Sequence, residues 1–341
     1  SSDLDPCCVQ SETLGEIIVH RVGVQGGDDT ALQLCGNVIC DLHEHVGFDI
    51  LHGHYLSPPG YLATFYATFL GARSLVSVRG NDVDRGMFQG SHLALIRWTL
   101  QHADVVGCVS TELVRKCRVL ADREDIRYTP NSVDADLFRP LPPDAALRDA
   151  LGLEGRAVLG FVGELRFKKG TVFVLEAFRH VCRQSPAKLL LVGGMRGEDR
   201  QALRMYLRQY PELREDIHVV EYIQDRDELV KYYNLMDVVL QPSLWDGMPN
   251  SVLEAMACGR LVLASSAGGI RDLVTHGETG LLISPHELQR LGEGCLEVLE
   301  AEPEERDAIG RRAREYVMQH HRPEQELGRL LDLYEGTPSP L

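Results

Sequence analysis

The chain contains no apolar run approaching the roughly 20 residues that a helix needs to cross a bilayer, and no internal repeat or low-complexity tract. An integral membrane segment and a solenoid are both excluded on that ground. Residues 1–10 lack the basic start and apolar stretch of a secretory leader. Nine cysteines are present, but apart from the adjacent Cys7 and Cys8 they stand singly, without the spacing of metal ligands. They read as reduced thiols in a cytoplasmic protein. Positive charge is also short: 35 Lys and Arg face 50 Asp and Glu, a net −15. That balance argues against nucleic acid or an anionic membrane as partner, and residues 1–142 are themselves net acidic. What remains is ordinary: 341 residues, 44% hydrophobic, enough for two cores.

Apolar strand-like runs alternate with amphipathic stretches, the pattern of an α/β protein with parallel sheets. Strands are expected at 17–22, 50–51, 75–78, 105–109, 158–162, 189–192, 238–240 and 261–264. Helices are expected at 61–70, 111–121, 172–184 and 228–236. Pro140, Pro142 and Pro143 mark a linker, so the expected domains are 1–142, 143–316 and a C-terminal helix within 317–341 that packs back across the junction.

The most informative stretch is 241–262, Q-P-S-L-W-D-G-M-P-N-S-V-L-E-A-M-A-C-G-R-L-V. A strand runs into Pro242-Ser243, Asp246-Gly247 opens a turn, and a helix starts at Asn250 or Ser251 and ends near Gly259. A strand, a loop of backbone N–H groups and a helix start accept anions and hydroxyls. Two carboxylates, Asp246 and Glu254, flank that loop. Taken alone, Ser251 to Glu254 also fits a capping box, in which Glu254 would only satisfy a backbone N–H.

In context the stretch resembles family four of the retaining glycosyltransferases (glycosyl transferases group 1), which carry Glu, seven residues, Glu and then A-M-A-x-G-x-P-V. Here Asp246 replaces the first Glu and Leu261 the Pro. The resemblance implies a GT-B fold, two Rossmann-like domains with parallel sheets facing across a cleft. It implies a nucleotide-sugar donor, no cofactor and no metal. Glu254 would hold the ribose hydroxyls and Asp246 the transferred sugar, as suits carboxylates that accept from two hydroxyls at once. Gly247, Met248, Pro249, Asn250 and Ser251 would line the donor. The family's G-R-L-x-x-x-K-G reads Gly163-Glu164-Leu165-Arg166-Phe167-Lys168-Lys169-Gly170 here. Lys169 matches; Glu164 stands where the family has Arg, and Arg166 either substitutes for it or leaves Glu164 to repel phosphate. The alternative for Arg166 and Lys169 is an exposed helix start with solvated charges.

Gly268 to Asp272, after Ser265-Ser266-Ala267, resembles the G-G-x-x-E segment with Asp272 in place of Glu, so Gly268 and Gly269 would approach the diphosphate, and the turn Glu221 to Asp225, with Tyr222 and Ile223, would read the base through its backbone. His276 to Leu282 resembles the D-G-x-x-G-x-L that follows. Pro130 to Pro140 resembles the interdomain segment P-N-G-V-D-x-x-x-F-x-P, where Asn131 serves either to cap a turn or a functional role. In the first half, Asp49 to His54 resembles D-x-x-H-x-H, and Val78 to Asp82 stands in the place of H-G-x-D. His52, His54, Asn81 and Asp82 would then be acceptor-side residues, and Arg79, in the place of a His, would pair with a phosphate or orient a hydroxyl. A metal on His52 and His54 lacks a third clustered ligand.

The resemblance implies retaining transfer of a hexose from a UDP- or GDP-linked donor to a hydroxyl of a saccharide or other small acceptor. Lys169, Arg166 and the Gly268-Gly269 turn would stabilise the departing diphosphate, Asp246 and Arg79 acting beside the sugar. The family's opening strand, Gly-Gly loop and long helix have no match before Glu16, and the surroundings of Gly26-Gly27 do not reproduce them, so the N-terminal domain is expected to be incomplete. Two alternatives stay open, a nucleotide-sugar-binding protein without transfer and a phosphorylase. Oligomeric state is not legible.

Overall fold

A computed structural model describes residues 8–23 and 28–336. They gather into two units, the first of residues up to 108, 114–128 and 332 onward, the second of 109–113 and 129–331.

The first unit opens with β1 (Val9–Leu14) and β2 (Ile17–Val22), an antiparallel hairpin closed by Gly15-Glu16. Its side chains are largely exposed. The 17–22 run is therefore a hairpin strand and not a member of the parallel sheet, and β1 was hidden because its V-Q-S-E-T-L is mostly polar. The segment holding Gly26-Gly27 lies outside the described residues. An unpredicted helix, Asp28–His45, follows. The sheet proper is β3 (Ile50–His54), β4 (Arg73–Val78), β5 (Val105–Cys108) and β6 (Arg127–Tyr128), side by side in that order and all parallel. All five residues 74–78 and all of β5 are apolar or small and buried, as a sheet covered on both faces requires. The helix Tyr61–Leu70 packs on β3 and β4.

The second unit holds β7 (Ala157–Val162), β8 (Ala187–Val192), β9 (Ile217–Val220), β10 (Val238–Gln241), β11 (Leu261–Ser265) and β12 (Leu281–Ile283). Their order across the parallel sheet is β12-β11-β10-β7-β8-β9. This is the doubly wound arrangement, and its core runs through Leu159, Phe161, Phe178, Leu189, Leu191, Val238 and Leu263. β9 and β12 were not predicted; their short, half-buried edge sequences give little period-2 signal.

Residues 129–142 belong to the second unit because buried Asn234 fastens them there: its amide oxygen accepts from Leu141 N–H at 2.9 Å, and its NH₂ donates to Arg139 C=O at 3.1 Å. The C-terminal helix Pro323–Glu335 is likewise divided, residues 332 onward joining the first unit, where Arg73 donates to Tyr334 C=O at 2.7 Å.

Candidate functional site

In the second unit the order of addition reverses between β7 and β10, and the crevice beyond their carboxyl ends is where such sheets take ligands. Three loops meet there, 163–170, 242–249 and 265–269. Leu244 N–H donates to Lys168 C=O at 2.8 Å, Ser265 Oγ to Ser243 C=O at 2.5 Å, and Gly269 N–H to Asp246 C=O at 3.2 Å. Two glycines permit this closeness. Gly170 and Gly268 sit at φ +72° and +53°, and a Cβ there would lie 2.0 Å from Pro242 O and 1.8 Å from Asp246 O.

Beneath the loops runs a chain of side chains. Ser251 Oγ donates to Gln241 Oε1 (3.1 Å), Gln241 Nε2 to Ser243 Oγ (2.9 Å), and Ser243 Oγ to Asp246 Oδ2 (3.3 Å), which also receives Lys169 Nζ at 2.5 Å. Gln241 and Ser243 are wholly buried. Lys169 is only 14% exposed, so it is no solvated helix-start charge.

Glu254 projects from the helix Asn250–Ala257 and accepts from Tyr233 Oη at 2.7 Å. The capping box does not form: the cap position is Pro249, without a side-chain bond. Burial raises the Glu254 carboxyl above its ordinary range, offset by the Tyr233 hydrogen bond and the Arg226 charge. Burial also pushes the Tyr233 hydroxyl well up, so it stays a donor.

An open pocket of about 790 Å³ is lined by Gly163, Arg166 and Lys169, by Tyr222, Ile223 and Arg226, and by Asn250, Ser251 and Glu254. Eight of the sequence-predicted residues, all of these but Arg226, thus meet at one depression. Arg166 is on it but engaged: it pairs with Glu164, which also takes Arg196 Nε at 2.6 Å. Met248 and Asn250 are fixed by Asn131, whose amide donates to Met248 C=O at 3.1 Å and Asn250 Oδ1 at 2.9 Å. Gly247 packs its carbonyl toward Gly269. Asp246, Gly247, Met248, Pro249, Gly268 and Gly269 form the loops beside the pocket and are not among its lining residues.

Arg79, His52, His54, Asn81 and Asp82 belong to the first unit. Asp82 is buried, with Oδ1 accepting from Gly80 N–H and Oδ2 from Leu56 N–H, both at 2.9 Å. Both its oxygens are engaged by the backbone, which a D in an H-G-x-D pattern does not announce. His52 is half-buried and held through both ring nitrogens, Nδ1 by Tyr334 Oη (2.9 Å) and Nε2 by Ser77 Oγ (2.8 Å). Its ring stacks on His54 at 4.4 Å, and Arg79 Nη2 lies 3.3 Å from His54 Nδ1.

Sequence reasoning missed Tyr233, Gln241, Ser243 and Arg226. A Gln closing an otherwise apolar strand, followed by Ser two residues on, was the available signal for the buried chain; Tyr233 and Arg226 carried none. Among the described residues no helix is long and apolar enough to cross a membrane, and no three His, Cys, Asp or Glu side chains are grouped to hold a metal ion.

Residues 144–316 match the family model described as glycosyl transferases group 1, and residues 32–137 match glycosyltransferase family 4. The chain is 26% identical over 302 residues to N-acetyl-alpha-D-glucosaminyl L-malate synthase of Bacillus anthracis, covering 87% of this chain and 77% of that protein. It is 29% identical over 289 residues to D-inositol 3-phosphate glycosyltransferase of Mycolicibacterium smegmatis, covering 81% of this chain and 65% of the other. In structure it is similar to sucrose-phosphate synthase of Thermosynechococcus elongatus, with a TM-score of 0.81 at 24% identity over 98% of this chain and 86% of that one. Anabaena HepE in complex with UDP-glucose superposes with a TM-score of 0.79 at 19% identity, covering 89% and 82%. These likenesses establish the fold as GT-B.

Proposed function

Because the chain belongs to the glycosyl transferases group 1 family and is a glycosyltransferase, we propose that it moves a hexose from a UDP- or GDP-linked donor to a hydroxyl of a saccharide or other small acceptor. The proposal includes retention of anomeric configuration, a reaction without metal ion or cofactor, and a cytoplasmic setting. One observation carries it: one pocket at the reversal point is lined both by cationic Arg166 and Lys169 and by the carboxyl-bearing Glu254. A nucleoside diphosphate sugar has complementary chemistry, with an anionic diphosphate and a ribose diol. Relatives in the family act on malate and inositol 3-phosphate by name, and HepE was crystallised with UDP-glucose, which supports a nucleotide-sugar donor and a small hydroxylic acceptor.

In this reading Glu254 accepts from the ribose hydroxyls, and Tyr233 holds one of its oxygens in place. Tyr222 and Ile223 flank the base. Lys169 and Arg166 take up the charge that grows on the diphosphate as the sugar departs, in exchange for their present carboxylate partners Asp246 and Glu164. Asp246, relieved of Lys169, faces the sugar hydroxyls with Gly247 to Asn250. The acceptor hydroxyl attacks from the face the diphosphate leaves and passes its proton to a phosphate oxygen, so positioning and electrostatics supply the rate.

The test is a calorimetric titration of UDP, GDP and ADP with their glucose or mannose forms, on wild type and Glu254→Gln. One nucleotide should bind and the variant should lose most of that affinity. Failure of every nucleotide to bind would sink the reading.

A further inference from the structure

β7 and β8 continue past their carboxyl ends as two facing loops. Leu165 N–H donates to Gly194 C=O at 2.9 Å, and Leu165 bridges Met195 in parallel register. That register sets the flanking charges: Glu164 stands one residue before the bridge, and Arg166 and Arg196 one residue after it on their separate loops. One carboxylate serves both guanidinium groups. Glu164 Oε2 pairs with Arg166 Nη2, and Oε1 accepts from Arg196 Nε at 2.6 Å.

The two arginines differ in their surroundings. Glu164 and Arg166 line the pocket, whereas Arg196 is not among its lining residues. Arg166 Nε is buried without a hydrogen-bond partner among the described residues, so its guanidinium keeps a donor that Glu164 does not satisfy. Arg196 sits among carboxylates: the Glu164 hydrogen bond and charge, and then Asp199 and Glu198, hold its guanidinium above the ordinary range. A carboxylate on the wall of an anion pocket repels the guest unless a cation elsewhere holds its charge. Glu164 has such a cation in Arg196. Losing Arg166 to a guest anion therefore leaves Glu164 still paired.

We propose that Glu164 and Arg196 are positioning residues for the donor diphosphate: Glu164 holds Arg166 in the empty pocket, and when the diphosphate takes Arg166 the carboxylate stays with Arg196, which offsets its repulsion. Arg196 thus acts on the donor through Glu164, without touching it. The proposal rests on the nucleotide-sugar reading, since it needs an anionic guest.

Calorimetric titration of UDP, GDP and ADP into the full chain tests it, on wild type, Arg196→Gln, Glu164→Gln and the double variant. Arg196→Gln should weaken the bound nucleotide about threefold to fivefold, because Glu164 is then left on Arg166 alone. Glu164→Gln should tighten it by about the same factor, since Arg166 loses its competing partner. The double variant should match Glu164→Gln, because Arg196 has nothing to restrain once the carboxylate is gone. The matching nucleoside, without phosphate, should bind all four proteins alike in ligand-observed NMR, which a general distortion of the pocket would not allow. Weakening by Arg196→Gln that persists in the Glu164→Gln background would show that Arg196 meets the nucleotide directly and would overturn the proposal. A weaker nucleotide in Glu164→Gln, or a nucleoside that follows the same changes, would overturn it too. The two failures are separable: no nucleotide bound by any of the four proteins counts against the donor reading and removes this inference with it. Nucleotide binding with additive or absent effects of the substitutions counts against this inference alone.

Discussion

Lys169 Nζ lies 2.5 Å from Asp246 Oδ2, and both side chains are at most 14% exposed. The cation comes from the turn after β7 and the carboxylate from the loop after β10, so the pair joins the two sides of the reversal point. Breaking a buried pair by removing one partner strands the other charge, at a typical cost of about 3–5 kcal/mol. Lys169→Met should therefore lose roughly 2–4 kcal/mol in urea unfolding, with partial exposure at the low end. The double variant Lys169→Met, Asp246→Leu should recover part of that loss. Turnover with the bound nucleotide sugar should fall in both, and a double variant no more stable than the single would show that the pair is not coupled.

Glu254 gives a pH signature. Burial raises its folded pKa above the ordinary carboxylate value, so the folded chain holds this proton more readily than the unfolded one. Its contribution to stability is full below the ordinary range and declines as pH rises through the raised value. Glu254→Gln should remove that decline. Tm measured from acid to neutral pH should shift in favour of the variant as pH rises, while its nucleotide affinity drops about tenfold or more. A Tm difference independent of pH would contradict the account.

Tyr233→Phe removes the hydroxyl that donates to Glu254 Oε2 and leaves a buried carboxyl short of that donor. The expected loss is about 1–3 kcal/mol, with a weaker nucleotide. Thermal unfolding and calorimetry on the same sample check both.

Gly268→Ala tests the loop clamp. At φ +53°, with a carbonyl 1.8 Å from the new methyl, the loop holding Asp246 must move. A loss of about 2 kcal/mol or more is expected, from backbone strain and displaced contacts together. Gly152→Ala, at a similar φ of +59° with nothing within 4 Å of the new methyl, carries the strain of positive φ alone and should lose less. Equal losses would show that crowding at Asp246 contributes nothing.

Asn234→Leu leaves the Leu141 N–H and the Arg139 carbonyl without their side-chain partner. A destabilisation of about 2–4 kcal/mol should appear in urea unfolding. Wild-type stability would place the 129–142 segment elsewhere in solution.

Legibility in the sequence followed burial. β7, β8 and β10 were readable because a strand covered on both faces must be continuously apolar, as in A-V-L-G-F-V. β1 was unreadable because V-Q-S-E-T-L buries nothing and is fixed by pairing with β2. Asp246, Lys169 and Glu254 could be named because their spacing matches a family pattern. Asp82 matched a pattern equally well, yet its carboxylate holds the Leu56 and Gly80 backbone. A motif gives residue type and order; it is silent on which way the side chain turns. Tyr233 lay beyond reach for the opposite reason, since an aromatic on an amphipathic helix looks like core, and it is core, except for the one oxygen that meets Glu254.

The buried run from Ser251 through Gln241 and Ser243 to Asp246 has a polarity. Every proton in it points the same way, toward the carboxylate. Ser251 has spent its hydrogen inward, so toward a guest it can only receive. A ligand atom offering a lone pair to that hydroxyl would require the Gln241 amide to turn over and Ser243 to reorient in step. The protein is thus biased, before anything binds, toward guests that present hydrogens at the helix start, and a change at that end is felt three side chains away as a change in how firmly Asp246 is held.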